Sequence, residues 1–124
     1  MGLRGVGIDV VDVRRIERLM AGTAFTQRWF TVEERWCCRA AEHPAREFAA
    51  LLAAKEAAWK AMGLDWAAGV PWAAMEVAGP GRTRAVELSG AVARAAAAAG
   101  VGGVAVTTTS VEEIALAMAY AWYP

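Results

Sequence analysis

A chain of 124 residues, 57% hydrophobic and balanced at 13 basic and 13 acidic side chains, suits a single domain spanning residues 1–124. Zero formal net charge argues against nucleic acid as a partner held by a broad positive field. Cys37 and Cys38 are adjacent and make no disulfide framework, and the single histidine, His43, leaves no histidine-rich metal site.

The stretch Leu3 to Asp12 alternates and is β-branched, which predicts a strand. "VRRIERLMA" predicts a short amphipathic helix with Ile16, Leu19 and Met20 inward and the arginines outward. Thr31 stands three residues before Glu34, a capping-box spacing, and opens a helix expected to end near His43-Pro44. "AREFAALLAAKEAAWKAMG" predicts the longest helix, from about Phe48 to Met62, stopped by Gly63. "WAAMEVAG" and "TRAVEL" predict two strands joined as a hairpin across "GPGR". Ser89 is placed to cap a helix over "GAVARAAAAAG", and "GVAVTTT" predicts a strand. The C-terminal run "IALAMAYAWYP" fits a buried strand or a short helix, and the strand is preferred. The charge-free run Ala95 to Val111 is broken by three glycines and three threonines, a poor membrane span. The start of the chain lacks the apolar region of a signal peptide, so a cytoplasmic protein with reduced thiols and no membrane partner is expected.

The long helix carries both lysines of the chain, whereas the other eleven basic residues are arginine. On a helix, Glu56 and Lys60 are one turn apart in the order that favours an ion pair, and a solvated salt bridge is the bland explanation. The same helix is apolar nearly all round, which places those charges in a cleft or a core, where they need partners, a metal or a ligand. Lysine is also a compact charge whose pKa falls on burial, so it can move protons as arginine cannot. Asp9 stands between Ile8 and Val10 in the first strand. It reads either as a carboxylate bonded to backbone N–H groups at a strand edge or as a hard-metal ligand, with Asp9 and Glu56 supplying the two carboxylates that magnesium typically takes. The six tryptophans fit a core and a subunit interface, or alternatively an apolar pocket for an acyl chain.

"GVGIDVVDVRRI" followed by "AAKEAAWKAMG", with "FTQRWFTVEER" between them, resembles the holo-acyl-carrier-protein synthases, the small phosphopantetheinyl transferases. The resemblance covers the whole chain in outline. It implies an α+β domain with the long helix packed on an antiparallel sheet, assembled as a homotrimer. The implied activity moves the phosphopantetheine arm of coenzyme A to a serine of an apo acyl carrier protein, with magnesium, in fatty acid or polyketide biosynthesis. By resemblance, Asp9 and Glu56 hold the magnesium, Glu56 or Lys60 takes the serine proton, Lys55 and Lys60 meet the coenzyme's phosphates, and Arg14, Arg15 and Arg18 dock the acidic carrier.

The chain departs from the family pattern at Leu51, where an arginine is expected to help bind coenzyme A, and at Ser110, where a histidine is expected. It departs also at Leu64-Asp65 and at Arg82-Thr83. Ser110 and Glu113 also have capping-box spacing. The losses at Leu51 and Ser110 keep a second reading open: a divergent homologue that acts on, or binds, a carrier-bound polyketide or acyl chain. A non-catalytic carrier-binding module is a third.

Overall fold

Gly5 and Gly7 decide how the first strand meets the long helix. In the computed structural model, which describes residues 2–65, 69–79 and 81–124, strand β1 spans Leu3–Asp12 and helix α4 spans Pro44–Met62. A Cβ added to Gly7 would collide with the carbonyl of Ala57, and one added to Gly5 with the carbonyl of Ala61. The two glycines therefore let backbone lie against backbone. Arg4 sits beside them and closes the far end, donating to the carbonyls of Met62 and Ala99.

The helix stops where its sequence predicts, at Gly63, and starts earlier than Phe48, at the proline read as the end of the helix before it. Pro44 occupies the first turn, where a missing N–H is harmless, and Gly63 takes a left-handed φ of 66° as the C-terminal stop. Between them, thirteen α4 residues are buried. Alanines dominate the helix surface, and strand β5 (Ile114–Trp122) turns Ala115, Ala117, Ala119 and Ala121 inward, so helix and sheet approach closely. The larger side chains Phe48, Leu51, Leu52, Trp59 and Met62 fill the remaining space, each contributing about 1.5–3 kcal/mol by leaving water.

Between β1 and α4 lie α1 (Val13–Leu19), α2 (Ala24–Trp29) and α3 (Val32–Arg39). Asp12 caps α1 by accepting from the Arg14 backbone N–H. The Thr31–Glu34 capping box forms in both directions. Helix α3 stops at Arg39, short of His43-Pro44, and α2 is an element the sequence pattern did not single out. After α4 comes a 3-10 turn, Trp72–Ala74, and then β2 (Met75–Val77), so only the end of "WAAMEVAG" is strand. It pairs antiparallel with β3 (Thr83–Leu88). The hairpin across "GPGR" is thus present, although Pro80 itself lies outside the described residues. Ser89 precedes α5 (Gly90–Ala98) but makes no cap bond, because its hydroxyl reaches the Ala74 carbonyl instead.

Strand β4 (Gly103–Val111) and β5 form a hairpin whose last pair is Val111–Ile114. The C-terminal run is therefore a strand, as preferred. The Ser110–Glu113 spacing belongs to a tight turn and caps no helix, with Glu112 at φ 54°. The strands make one five-stranded antiparallel sheet in the order β1-β5-β4-β3-β2, which together with the helices gives the α+β class. Its face away from α4 is apolar and left uncovered by the described residues: Val6, Ile8 and Val10 on β1 are 50–57% exposed, and Ile114, Leu116 and Met118 on β5 are 39–45% exposed.

Candidate functional site

Asp9 stands in the middle of β1, opposite Ala117 of β5, and the close helix–strand approach brings it to the Glu56–Lys60 turn of α4. The Lys60 ammonium donates to Asp9 Oδ1 at 3.1 Å and to the Ile8 carbonyl at 3.1 Å. No salt bridge joins Glu56 to Lys60 among the described residues, so the solvated i, i+4 pair is not what forms. Nor is Asp9 satisfied by backbone N–H groups. Its Oδ2 is buried without a hydrogen-bond partner.

Glu56 is half-buried and close enough to Asp9 for the two carboxyls to interact. Burial first, and then the hydrogen bond and negative charge of Asp9, push the Glu56 carboxyl up to about 8, against opposing pulls from Lys60 and Arg15. Two carboxylates this close share a proton when no cation separates them. A hard divalent cation would take the place of that proton, engaging the orphaned Asp9 Oδ2 and the Glu56 carboxylate. No cluster of three metal-ligating side chains exists among the described residues, so such a cation would complete its sphere with waters or substrate oxygens. That donor set of two carboxylates suits magnesium.

The other lysine goes elsewhere. Lys55 is fully buried; it donates to Glu34 Oε1 at 2.7 Å and to the Trp72 carbonyl at 3.1 Å. Burial pulls its pKa down, and Glu34 opposes that pull. Glu34 also accepts from the backbone N–H groups of Thr31 and Val77 at 2.9 Å each. An ammonium with no solvent access and such partners does not reach a phosphate. The coenzyme role expected of Lys55 is therefore corrected to a structural one. Sequence pattern marked Glu34 only as half of a capping box; the added signal was a lysine on an otherwise apolar helix, which must find a carboxylate.

Leu51, the position of the missing arginine, lines a cavity of about 520 Å³ together with Cys37, Cys38, Glu47, Glu76 and Arg84. Glu33, Glu34 and Glu87 also line it, so five carboxylates face one guanidinium and phosphate is poorly accommodated there. Cys38 stays protonated, its thiol pushed up to about 12 by burial and by Glu47 and Glu34. Ser110 is exposed near the end of β4, and Asp65 and Arg82 are exposed too.

On α1, the three expected docking arginines differ. Arg14 Nε is 3.2 Å from Glu113 Oε2 and 3.7 Å from Asp12 Oδ1. Arg15 and Arg18 are exposed and form no salt bridge among the described residues, while the charge of Arg15 reaches Glu56. Of the tryptophans, Trp29 stacks on Trp72 at 4.3 Å and Trp59 meets Trp72 edge-on at 5.9 Å, filling the interior beside Lys55. Trp36 is 74% exposed, and Trp66 lies outside the described residues. No described helix is long and apolar enough to cross a membrane.

The 4′-phosphopantetheinyl transferase superfamily is the family whose sequence model matches, over residues 5–116. A holo-[acyl-carrier-protein] synthase of Desulforudis audaxviator is 39% identical over 123 residues, covering 97% of this chain and 93% of that protein. Other relatives of the same name match over shorter stretches, about 60% of their own length. The crystal structure of the holo-[acyl-carrier-protein] synthase of Neisseria meningitidis superposes with a TM-score of 0.85 at 28% identity, covering 98% of this chain and 99% of that one. A Chronobacterium ammoniagenes complex of the synthase with coenzyme A superposes with a TM-score of 0.84 at 25% identity, covering 100% of this chain and 99% of that one.

Proposed function

Because the chain belongs to the 4′-phosphopantetheinyl transferase superfamily, we propose that it transfers the phosphopantetheine arm of coenzyme A to a serine of an apo acyl carrier protein. The observation that carries this is the convergence of Asp9, Glu56 and Lys60, with one Asp9 oxygen left open. The serine oxygen forms a bond to the phosphorus that carries the arm, and the bond from that phosphorus to 3′,5′-ADP breaks. Asp9 and Glu56 would hold magnesium, which would supply positive charge to offset the charge that grows on the leaving group.

The chain's own groups do the rest. Lys60 has three N–H donors, of which Asp9 and Ile8 engage two; the third is free to meet a transferring phosphoryl oxygen. Glu56 or Lys60 takes the serine proton, directly or through a water. Arg15 and its neighbours on α1 draw an acidic carrier toward this cleft. The uncovered apolar face of β1 and β5 supports assembly as a homotrimer, which light scattering at micromolar concentration tests: a stable monomer would count against it.

The acidic cavity at Leu51 and the loss of histidine at Ser110 favour a second reading, in which the cleft serves a carrier-bound acyl or polyketide chain and coenzyme A binds weakly. Intact-protein mass spectrometry of an apo carrier incubated with coenzyme A and magnesium decides between them. The expected result is slow gain of the arm with the wild type, faster gain with Leu51→Arg combined with Ser110→His, and none with Glu56→Gln. No gain with wild type or double variant, across several carriers, would overturn the transferase reading.

A further inference from the structure

Resting on the reading that α1 receives an acyl carrier protein, we propose that the tip of the β4–β5 hairpin neutralises Arg14 at the start of α1. Arg15 and Arg18 then read the partner's carboxylates, and Glu113 turns carboxylates away from Arg14. The turn between Val111 and Ile114 consists of Glu112 and Glu113. It is pinned in place at both of its residues: the Val13 N–H donates to the Glu113 carbonyl at 2.8 Å, and Arg46 donates to the Glu112 carbonyl at 3.3 Å. Pinning leaves the Glu113 carboxylate beside Arg14 at 3.2 Å. Asp12 is fixed as the cap of α1, and its carboxylate lies 3.7 Å from the same Arg14 nitrogen.

The Arg14 guanidinium thus has carboxylates at 3.2 and 3.7 Å that outweigh its single charge, whereas Arg15 in the same turn has none within salt-bridge distance among the described residues. Arg15 and Arg18 are three residues apart on the same helix, hence neighbours on its surface, and no carboxylate lies within salt-bridge distance of either. The arginines of α1 are therefore unequal: Arg14 is compensated, and Arg15 and Arg18 are not. That surface fits an acidic helix that sets two carboxylates against Arg15 and Arg18 and an uncharged or basic residue against Arg14. A carboxylate in that last place would meet Asp12 and Glu113, which is discrimination by repulsion.

The test is fluorescence anisotropy of a labelled apo acyl carrier protein titrated with the full chain at low and at raised salt. Arg18→Ala should weaken binding about two- to fivefold at low salt, the range expected of an exposed charge pair, and Arg14→Ala should weaken it less. Glu113→Gln should tighten binding by about the same factor, and in that background Arg14→Ala should become as harmful as Arg18→Ala. Every difference should shrink as salt rises. The proposal is overturned if Glu113→Gln leaves binding unchanged, or if Arg14→Ala matches Arg18→Ala in the otherwise native chain. Binding is read here without turnover. A carrier that binds in the expected pattern yet gains no arm defeats the transferase reading alone, and a carrier that is modified but indifferent to Glu113 defeats this proposal alone. A carrier that does not bind defeats both.

Discussion

Two lysine–carboxylate pairs start from adjacent faces of α4, five residues apart, and their surroundings differ. Lys55 and Glu34 are dry, at 0% and 3% side-chain exposure, and the Glu34 carboxylate takes bonds from Lys55, Thr31 and Val77. Lys60 and Asp9 are 44% and 14% exposed, and an Asp9 oxygen has no partner. The first pair has its hydrogen-bonding positions filled by the chain itself, tying α3, the 3-10 turn and β2 to α4. The second leaves a negative oxygen, a raised carboxyl and a lysine donor unspent. A saturated buried pair is architecture; an unsaturated one beside solvent can receive a ligand.

The sharpest way to break this comparison is to remove each ammonium in turn. Lys55→Met strands the Glu34 carboxylate in the interior, and breaking a buried pair on one side costs about 3–5 kcal/mol. Lys60→Met breaks a half-wet pair and should cost no more than about 1 kcal/mol. Urea melts of both variants, read beside carrier modification, should therefore separate cleanly: Lys55→Met destabilised first and foremost, Lys60→Met folded and inactive. Equal destabilisation by the two would dissolve the distinction between them.

A smaller effect sits in the proton that Glu56 holds. Its carboxyl is raised from an ordinary 4.5 to about 8, chiefly by burial and next by Asp9. Between those values the unfolded chain has released this proton while the folded chain keeps it. The group's contribution to stability is therefore complete below pH 4.5 and is lost as pH rises toward 8. Magnesium requires the deprotonated form, so its stabilising effect should grow over the same interval. Thermal melts with and without magnesium across that range should show the two curves moving apart as pH rises. Asp9→Asn should remove the magnesium response and flatten the metal-free pH dependence, because it deletes the Asp9 share and leaves burial. A variant that still responds to magnesium like wild type would remove Asp9 from the metal site.

Much of this was legible in the residues. Alternation from Leu3 to Asp12 gave β1 its bounds, and Gly63 marked the end of α4 because it tolerates positive φ; the start at Pro44 was missed, since that proline was read as the stop of the helix before it. Asp9, Glu56 and Lys60 stood out because each is a charge on an apolar element, and buried charge demands a partner. The destination of Lys55 was not legible. One step along a helix rotates a side chain by about 100°, enough to send position 55 toward Glu34 while position 56 faces Asp9, and only tertiary packing says which face meets which neighbour. The short α2 was missed for a related reason: six residues carry too little periodicity, and its helix is held by packing such as the Trp29–Trp72 stack. Ser110 misled because capping-box spacing also occurs in a tight turn, where strand pairing on both sides overrides it.

The smallest expected effect tests the dry side without touching its charges. Thr31 accepts from the Glu34 backbone N–H through its hydroxyl at 3.1 Å, and its own N–H donates to the Glu34 carboxylate at 2.9 Å. Its hydroxyl also reaches Glu76 at 3.2 Å, linking the start of α3 to β2. Thr31→Ala deletes the hydroxyl and keeps the backbone N–H, so Glu34 retains Lys55, Val77 and the Thr31 amide position. The loss should be that of one helix cap, about 1 kcal/mol. For a domain of this size that lowers the melting temperature by roughly 3–6 °C. Thr31→Ser should restore most of it, because serine offers the same oxygen. Carrier modification measured well below the melting temperature should match wild type in both variants, since neither change reaches Asp9, Glu56 or Lys60. A Thr31→Ala chain that melts normally but modifies the carrier more slowly would show that the dry side of α4 communicates with the wet one, and the division between architecture and site would have to be redrawn.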